Sequence, residues 1–109
     1  ERIKPLLARA RRTFDRLQLY NIISKVADGT EGWPENAPFA AIIVTAAGPL
    51  IPQPLVDQLA DPGIMVLPVG DLEGQTLMVV RKEGGVVTTT EVESVRFVKL
   101  VGTYGWKAA

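Results

Sequence analysis

The sequence contains no cysteine and no histidine. The first absence excludes disulfides, thiolate metal sites and a cysteine nucleophile. The second removes a Ser-His-Asp triad, a histidine general base and every histidine metal site. Chemistry in this chain must therefore use carboxylates, hydroxyls, backbone groups or a cofactor. No apolar run approaches 18 residues, so no helical membrane span is expected. No glycine-rich loop of the G-x-G type follows a strand pattern. Gly84-Gly85 lies in a hairpin pattern and opens no helix, so it is not a phosphate or nucleotide cradle. Net charge is also missing, at +0.

What is present fits an ordinary globular domain. Hydrophobic residues make up 47% and charged residues 22% of 109 residues, enough for one domain and short for two. This composition is far from the low-hydrophobicity, high-charge signature of disorder. The charge is unevenly spread. Residues 1–16 hold six of the twelve basic groups (Arg2, Lys4, Arg9, Arg11, Arg12, Arg16) and two acids, a net of +4 that leaves −4 on the rest. Such a basic helix suits nucleic acid or an anionic membrane, and equally a solvated outer face; the solvated face is the expectation here. The chain opens at Glu1 without methionine or a signal peptide and reads as beginning mid-domain.

Periodicity predicts a helix over residues 5–18. Ile3, Leu6, Leu7, Ala10, Phe14 and Leu17 form one apolar stripe, and Pro5 suits the first turn. Residues 22–26 are a short strand candidate, closed by turn residues 27–30; residues 31–38 form a loop with two prolines and Trp33. Residues 39–45 are apolar almost throughout, the pattern of a strand buried on both faces in a parallel sheet. A loop over 46–54, a short helix over 55–60 with Leu55, Val56 and Leu59 inward, and a turn at 61–63 lead to a second apolar strand at 64–69. Residues 76–81 and a β-rich run over 86–100 flank Gly84-Gly85 as an antiparallel hairpin. The order predicts an α/β, doubly wound sheet ending in an antiparallel hairpin.

Several residues could carry chemistry. Glu1 stands before a helix, where a carboxylate in a nucleotide-binding sheet accepts from ribose hydroxyls; an acid there also complements a helix dipole. Asp28 could accept from an exocyclic amine such as adenine N6, with Gly29 admitting a flat ring closely, although Asp-Gly is also an ordinary turn. Trp33 could cover a ring or anchor its own loop. Thr45 and Ala46 sit at the carboxyl end of an apolar strand, where open α/β sheets bind ligands. Arg96, within Ser94-Val95-Arg96-Phe97-Val98, suits a carboxylate substrate or the solvent face of an edge strand.

These segments resemble a known family. Glu1-Arg2-Ile3 before an arginine-rich helix, Ala27-Asp28-Gly29-Thr30-x-Gly32-Trp33-Pro34 and Ala37-Pro38-Phe39-x-Ala41-Ile42-Ile43-Val44-Thr45-Ala46-Ala47 are similar to protein-L-isoaspartate O-methyltransferase. So are Ile51-Pro52-x-Pro54-Leu55, Leu67-Pro68-Val69-Gly70 and Val95-Arg96-Phe97-Val98-x-Leu100-Val101. The likeness runs in order along essentially the whole chain and matches the family's C-terminal half. It implies that residues 1–109 are the C-terminal portion of one Rossmann-like, S-adenosylmethionine-dependent methyltransferase domain. The first strands and the glycine-rich loop would then lie upstream of Glu1; the missing N-terminal half or another chain would be needed to complete the sheet, and residues 1–109 alone would neither fold stably as a monomer nor bind the cofactor.

The resemblance further implies a methyl transfer from S-adenosylmethionine to the α-carboxylate of L-isoaspartyl residues in damaged proteins, in the cytoplasm, without metal, nucleic acid or membrane. Glu1 would bind ribose, Asp28 and Gly29 adenine, and Thr45 and Ala46 would border the transfer site. Val95, Arg96, Phe97 and Val98 would hold the peptide, and no catalytic residue is implied in this segment. A relative with another carboxylate acceptor, or a non-catalytic interaction module, are the alternatives. The sequence departs from the family at Ala27 (usually glycine), Ala40 (usually aspartate), Ala60-Asp61-Pro62-Gly63 (usually Lys-Pro-Gly-Gly) and Lys99 (usually proline).

Overall fold

In the computed structural model, which describes residues 1–108, eight short elements follow one another. Helix α1 (Lys4–Arg16) comes first, then two single-turn 3₁₀ segments (Gly29–Glu31 and Pro34–Asn36). Strand β1 (Phe39–Ile43), helix α2 (Gln53–Asp57) and strands β2 (Leu59–Gly70), β3 (Gln75–Glu83) and β4 (Val86–Val95) complete the chain. The strands form one sheet in the order β1-β2-β3-β4. β1 and β2 are parallel and joined through α2; β2–β3 and β3–β4 are antiparallel. This is the α/β sheet with an antiparallel end that the pattern predicts.

Alternation along β2 turns Met65 and Leu67 to one face, and the antiparallel register sets Val80 opposite Met65 and Met78 opposite Leu67. Leu55, Val56 and Leu59 cover these side chains, as expected, and complete the core. Each such buried side chain contributes about 1.5–3 kcal/mol. Lys82 reaches from β3 and donates through Nζ to the carbonyls of Val56 (2.6 Å) and Leu59 (3.0 Å), placing a cation where α2 ends. The β3–β4 hairpin turns on Gly84 (φ 59°) and Gly85 (φ 77°), the two positive-φ positions a two-residue turn requires. Asp61 braces that turn, accepting from the Gly84 and Gly85 amides at 2.9 and 2.7 Å.

Four expectations need correction. Residues 22–26 form no strand. The chain here meets the start and flank of α1 instead of a strand: the Lys25 carbonyl accepts from the Glu1 nitrogen, the following Ala27 amide donates to the Glu1 carbonyl, and Arg11 donates to the Ser24 carbonyl. A strand needs a paired neighbour, and no strand lies beside this segment among the described residues. β1 is also not buried on both faces: it is an edge strand, and Ile43 is 77% exposed. Leu59 and Ala60 leave the helix for β2, and residues 61–63 are a bulge within β2 where its register against β1 shifts. The β-rich run stops at Val95, because Phe97 is held by a side chain instead of a strand ladder.

Helix α1 also ends two residues before its pattern does, at Arg16. Gln18, at φ 56°, takes the left-handed conformation that ends it. Leu7 is its only buried residue, whereas Leu6 and Leu17 on the same stripe are exposed. All six basic groups of residues 1–16 are exposed, as expected of a solvated face. Among the described residues, no helix is long and apolar enough to cross a membrane.

Candidate functional site

Between α1 with residues 22–33 on one side and β1 with residues 44–46 and 98–101 on the other lies an open cleft of about 940 Å³. Its walls are mostly apolar, with Leu6, Leu7, Phe14 and Ile22 facing Phe39, Ile42 and Val44. Glu1, Asp28, Gly29, Thr45 and Ala46, the five residues singled out for a cofactor, all line it, as do Trp33 and Val98. The other acceptor-side candidates fall elsewhere. Val95 and Arg96 border a separate hollow of about 170 Å³ with Asp71, Glu73 and Ser94. Phe97 lies between the two, half-buried.

The carboxylates have partners of their own. Glu1 Oε2 accepts from the Ile3 amide at 3.1 Å at the entrance to α1. Asp28 Oδ1 accepts from the Thr30 amide (2.9 Å) and hydroxyl (2.7 Å), and Oδ2 from the Thr103 amide (2.8 Å). Burial pushes the Asp28 carboxyl up, but the bonds from the Thr30 side chain and the Thr103 and Thr30 amides outweigh it and hold it below the usual carboxylate range. A carboxylate offers about four lone-pair sites, and Thr30 and Thr103 occupy most of them, the Thr103 side chain adding to its amide. Gly102 packs so closely that a Cβ there would lie 2.1 Å from Asp28 Oδ1. Gly29, by contrast, faces open space: a Cβ there would meet nothing within 4 Å.

The C-terminal segment is stitched across the same cleft. Ala47 donates to the Val98 carbonyl (2.7 Å) and accepts from the Leu100 amide (2.9 Å). Trp106 Nε1 donates to the Ala47 carbonyl (2.9 Å), and Tyr104 donates its amide to Thr30 Oγ1 (3.1 Å). Residues 98–106 thus connect the loop at 28–30 with the end of β1.

Sequence reasoning missed three residues that shape these loops. Thr30, Gln58 and Gln75 are the buried polar side chains among the described residues, at 0%, 9% and 6% exposure. Each is fully partnered, and each fixes a loop bordering the cleft or the hollow. An isolated glutamine beside an apolar run carries no periodic signal. Only the burial of the polar group marks it.

Comparison with known proteins gives a consistent family. Residues 1–105 match the family model for protein-L-isoaspartate(D-aspartate) O-methyltransferase. The chain is 54% identical over 107 residues to a Desulfotalea psychrophila protein-L-isoaspartate O-methyltransferase, covering 98% of this chain and 50% of that protein. A Geobacter metallireducens protein of the same name is 51% identical over 107 residues, covering 97% and 50%. The chain thus spans about half the length of the curated relatives it matches. Among solved structures it superposes with a TM-score of 0.79 and 26% identity on a Plasmodium falciparum protein described as such a methyltransferase in complex with S-adenosyl-L-homocysteine, covering 93% of this chain and 50% of that one. A second structure of the same name matches with a TM-score of 0.79 and 28% identity over 88% of this chain and 31% of that one. The sheet is accordingly part of a Rossmann-like methyltransferase fold.

Proposed function

The chain belongs to the protein-L-isoaspartate(D-aspartate) O-methyltransferase family, and from that premise we propose that it supplies the C-terminal portion of a cytoplasmic repair methyltransferase. That enzyme transfers a methyl group from S-adenosylmethionine to the α-carboxylate of L-isoaspartyl residues in damaged proteins. The observation that carries the reading is the convergence of Glu1, Asp28, Gly29, Thr45 and Ala46 on one cleft beside Val98. The cleft is of cofactor size, apolar with few polar groups. Glu1 keeps one carboxylate oxygen for ribose donors, Asp28 lies on the same wall for adenine, and Gly29 leaves room for a flat ring. When bound, the cofactor supplies the electrophilic sulfonium methyl group.

The residues of this chain bind and orient. An isoaspartyl carboxylate is already ionised near neutral pH, so attack needs no general base, which suits a chain without histidine. Catalysis then rests on holding the carboxylate oxygen in line with the methyl group. Thr45 and Ala46 would border that line, and Val95, Arg96, Phe97 and Val98 would hold the peptide backbone around it. The resulting methyl ester can close to a succinimide, whose hydrolysis returns part of the residue to normal aspartate.

The test joins residues 1–109 to the half of the Desulfotalea psychrophila relative that this chain does not span. Incubated with methyl-labelled S-adenosylmethionine, this joined domain is expected to label an isoaspartyl peptide as a base-labile ester and to leave the aspartyl peptide unlabelled. Equal labelling of both peptides would favour another carboxylate acceptor. No labelling by a folded joined domain would remove the proposal.

A further inference from the structure

Two buried glutamines each clamp a loop with both ends of the side-chain amide, Gln58 at the cleft and Gln75 at the separate hollow. Gln58 follows α2 and is 9% exposed. Its Oε1 accepts from the Trp33 amide at 2.8 Å, and its Nε2 donates to the Glu31 carbonyl at 2.9 Å. Gln75 opens β3 and is 6% exposed. Its Oε1 accepts from the Phe97 amide at 2.7 Å, and its Nε2 donates to the carbonyl of the same residue at 2.9 Å. In each case one side-chain amide replaces the pair of bonds that a neighbouring strand would make. The chemistry of the partners fixes the amide orientation: a backbone N–H needs the oxygen and a carbonyl needs the nitrogen.

Residues 32 and 33 lie between two 3₁₀ turns, and residues 96 and 97 lie between the end of β4 and the bridge of Lys99 to Ala47, so neither stretch is itself in a strand. Gly32, at φ 69°, passes so close that a Cβ would lie 2.1 Å from Gln58 Oε1, so the clamp and the glycine are matched. The loop that Gln58 holds carries Trp33 on the cofactor-side wall; the segment that Gln75 holds joins Arg96 to Val98. A binding residue on a loosely held loop pays its ordering entropy on each binding event.

We infer that Gln58 and Gln75 are a pair of positioning residues with separable effects: Gln58 sets the affinity for the nucleoside side of the cofactor, and Gln75 sets the affinity for the isoaspartyl peptide. The inference rests on the assignment of the two regions made under Proposed function.

The experiment uses the joined domain and the isosteric variants Gln58→Glu and Gln75→Glu, which keep the acceptor but place a carboxylate oxygen against a backbone carbonyl. Asp28→Ala and Arg96→Ala serve as references for the two regions. Gln58→Glu should raise the Kd for S-adenosylhomocysteine about tenfold, a loss on the scale of one or two hydrogen bonds, with the peptide KM within about twofold. Gln75→Glu should do the reverse. A purely structural role would lower the folded fraction and hence kcat, and leave both constants alone. If the reference variants shift their constants and the glutamine variants do not, the inference is overturned and the site assignment stands. If the reference variants shift nothing, the site assignment itself fails and the inference with it. Hydrogen exchange on the unaltered joined domain guards against variants that unfold. The Trp33 and Phe97 amides should be protected well beyond their loop neighbours, and rapid exchange at both would equally overturn the inference.

Discussion

Residues 1–38 and residues 39–108 are built in different ways. In the first region only Leu7 and Thr30 are buried; in the second, twelve residues are, and they surround a continuous core. The second region satisfies its own backbone through three strand pairings. The first leaves Ile22, Ile23 and Val26 exposed and relies on single side chains (Arg11, Asp28, Gln58) to hold its turns. Both regions border the cleft. The contrast suits a chain in which the antiparallel sheet is the self-sufficient part. The apolar cleft wall and the edge of β1 stay open to solvent beside that core.

The largest effect should fall in the self-sufficient sheet. In the joined domain Met65→Ala should cost about 2–5 kcal/mol by urea denaturation, because Met65 is fully buried between α2 and β3. A cost under about 1 kcal/mol would mean the core relaxes freely and the contrast is overdrawn.

Ile43→Ala sharpens the comparison. At 77% exposure the residue would ordinarily tolerate truncation within about 0.5 kcal/mol. If further strands of the joined domain cover the edge of β1, the same substitution should cost about 2 kcal/mol there. A negligible cost would show that edge to be open to solvent.

Asp28→Ala comes next. It should weaken S-adenosylhomocysteine binding by about 1–3 kcal/mol, the range for a hydrogen bond to a charged group, and expose the Thr103 amide to exchange. Unchanged affinity in calorimetry would leave Asp28 as a brace for residues 102–104 alone. The pH dependence has a definite sign. The folded carboxyl titrates below its ordinary value of 3.8, so its contribution to stability is present above that pH and is lost as pH falls through the folded value. In Asp28→Ala this part of the acid-induced loss should disappear.

Asp61→Ala should remove both bonds to the hairpin turn and cost about 1 kcal/mol, measured as a lower midpoint without a changed denaturant slope. The smallest effect belongs to the exposed face of α1. Arg9→Ala and Arg12→Ala should stay within about 0.5 kcal/mol. Phe14 is the one aromatic on that helix and lies on its apolar stripe, so no stacking platform accompanies the charge. Tight, saturable binding of DNA or RNA in a gel-shift assay at moderate salt would contradict the reading of a solvated face.

Periodicity and turn chemistry made the self-sufficient region legible. The inward set Leu55, Val56 and Leu59 and the hairpin at Gly84-Gly85 follow from local pattern, since their partners are close in sequence. Residues 22–26 and the burial of β1 were misread for the converse reason. An apolar β-branched run states a propensity, and whether it becomes a strand depends on a neighbour the run does not encode. In the candidate site, Asp28, Gly29, Thr45 and Ala46 were visible as turn and strand-end residues. Their convergence, and the use of Asp28 by Thr30 and Thr103, depend on contacts as far apart as 75 positions. Gln58 and Gln75 could not be found from sequence, because a glutamine clamps a loop only once burial has removed water as its alternative partner.

The central claim is that residues 1–109 supply one half of a cofactor site. Calorimetric titration of S-adenosylhomocysteine into residues 1–109 alone, and into the same residues in the joined domain, tests it most directly. The account predicts no saturable heat from the first and stoichiometric binding by the second. Saturable binding by residues 1–109 alone, or none by a folded joined domain, would contradict it.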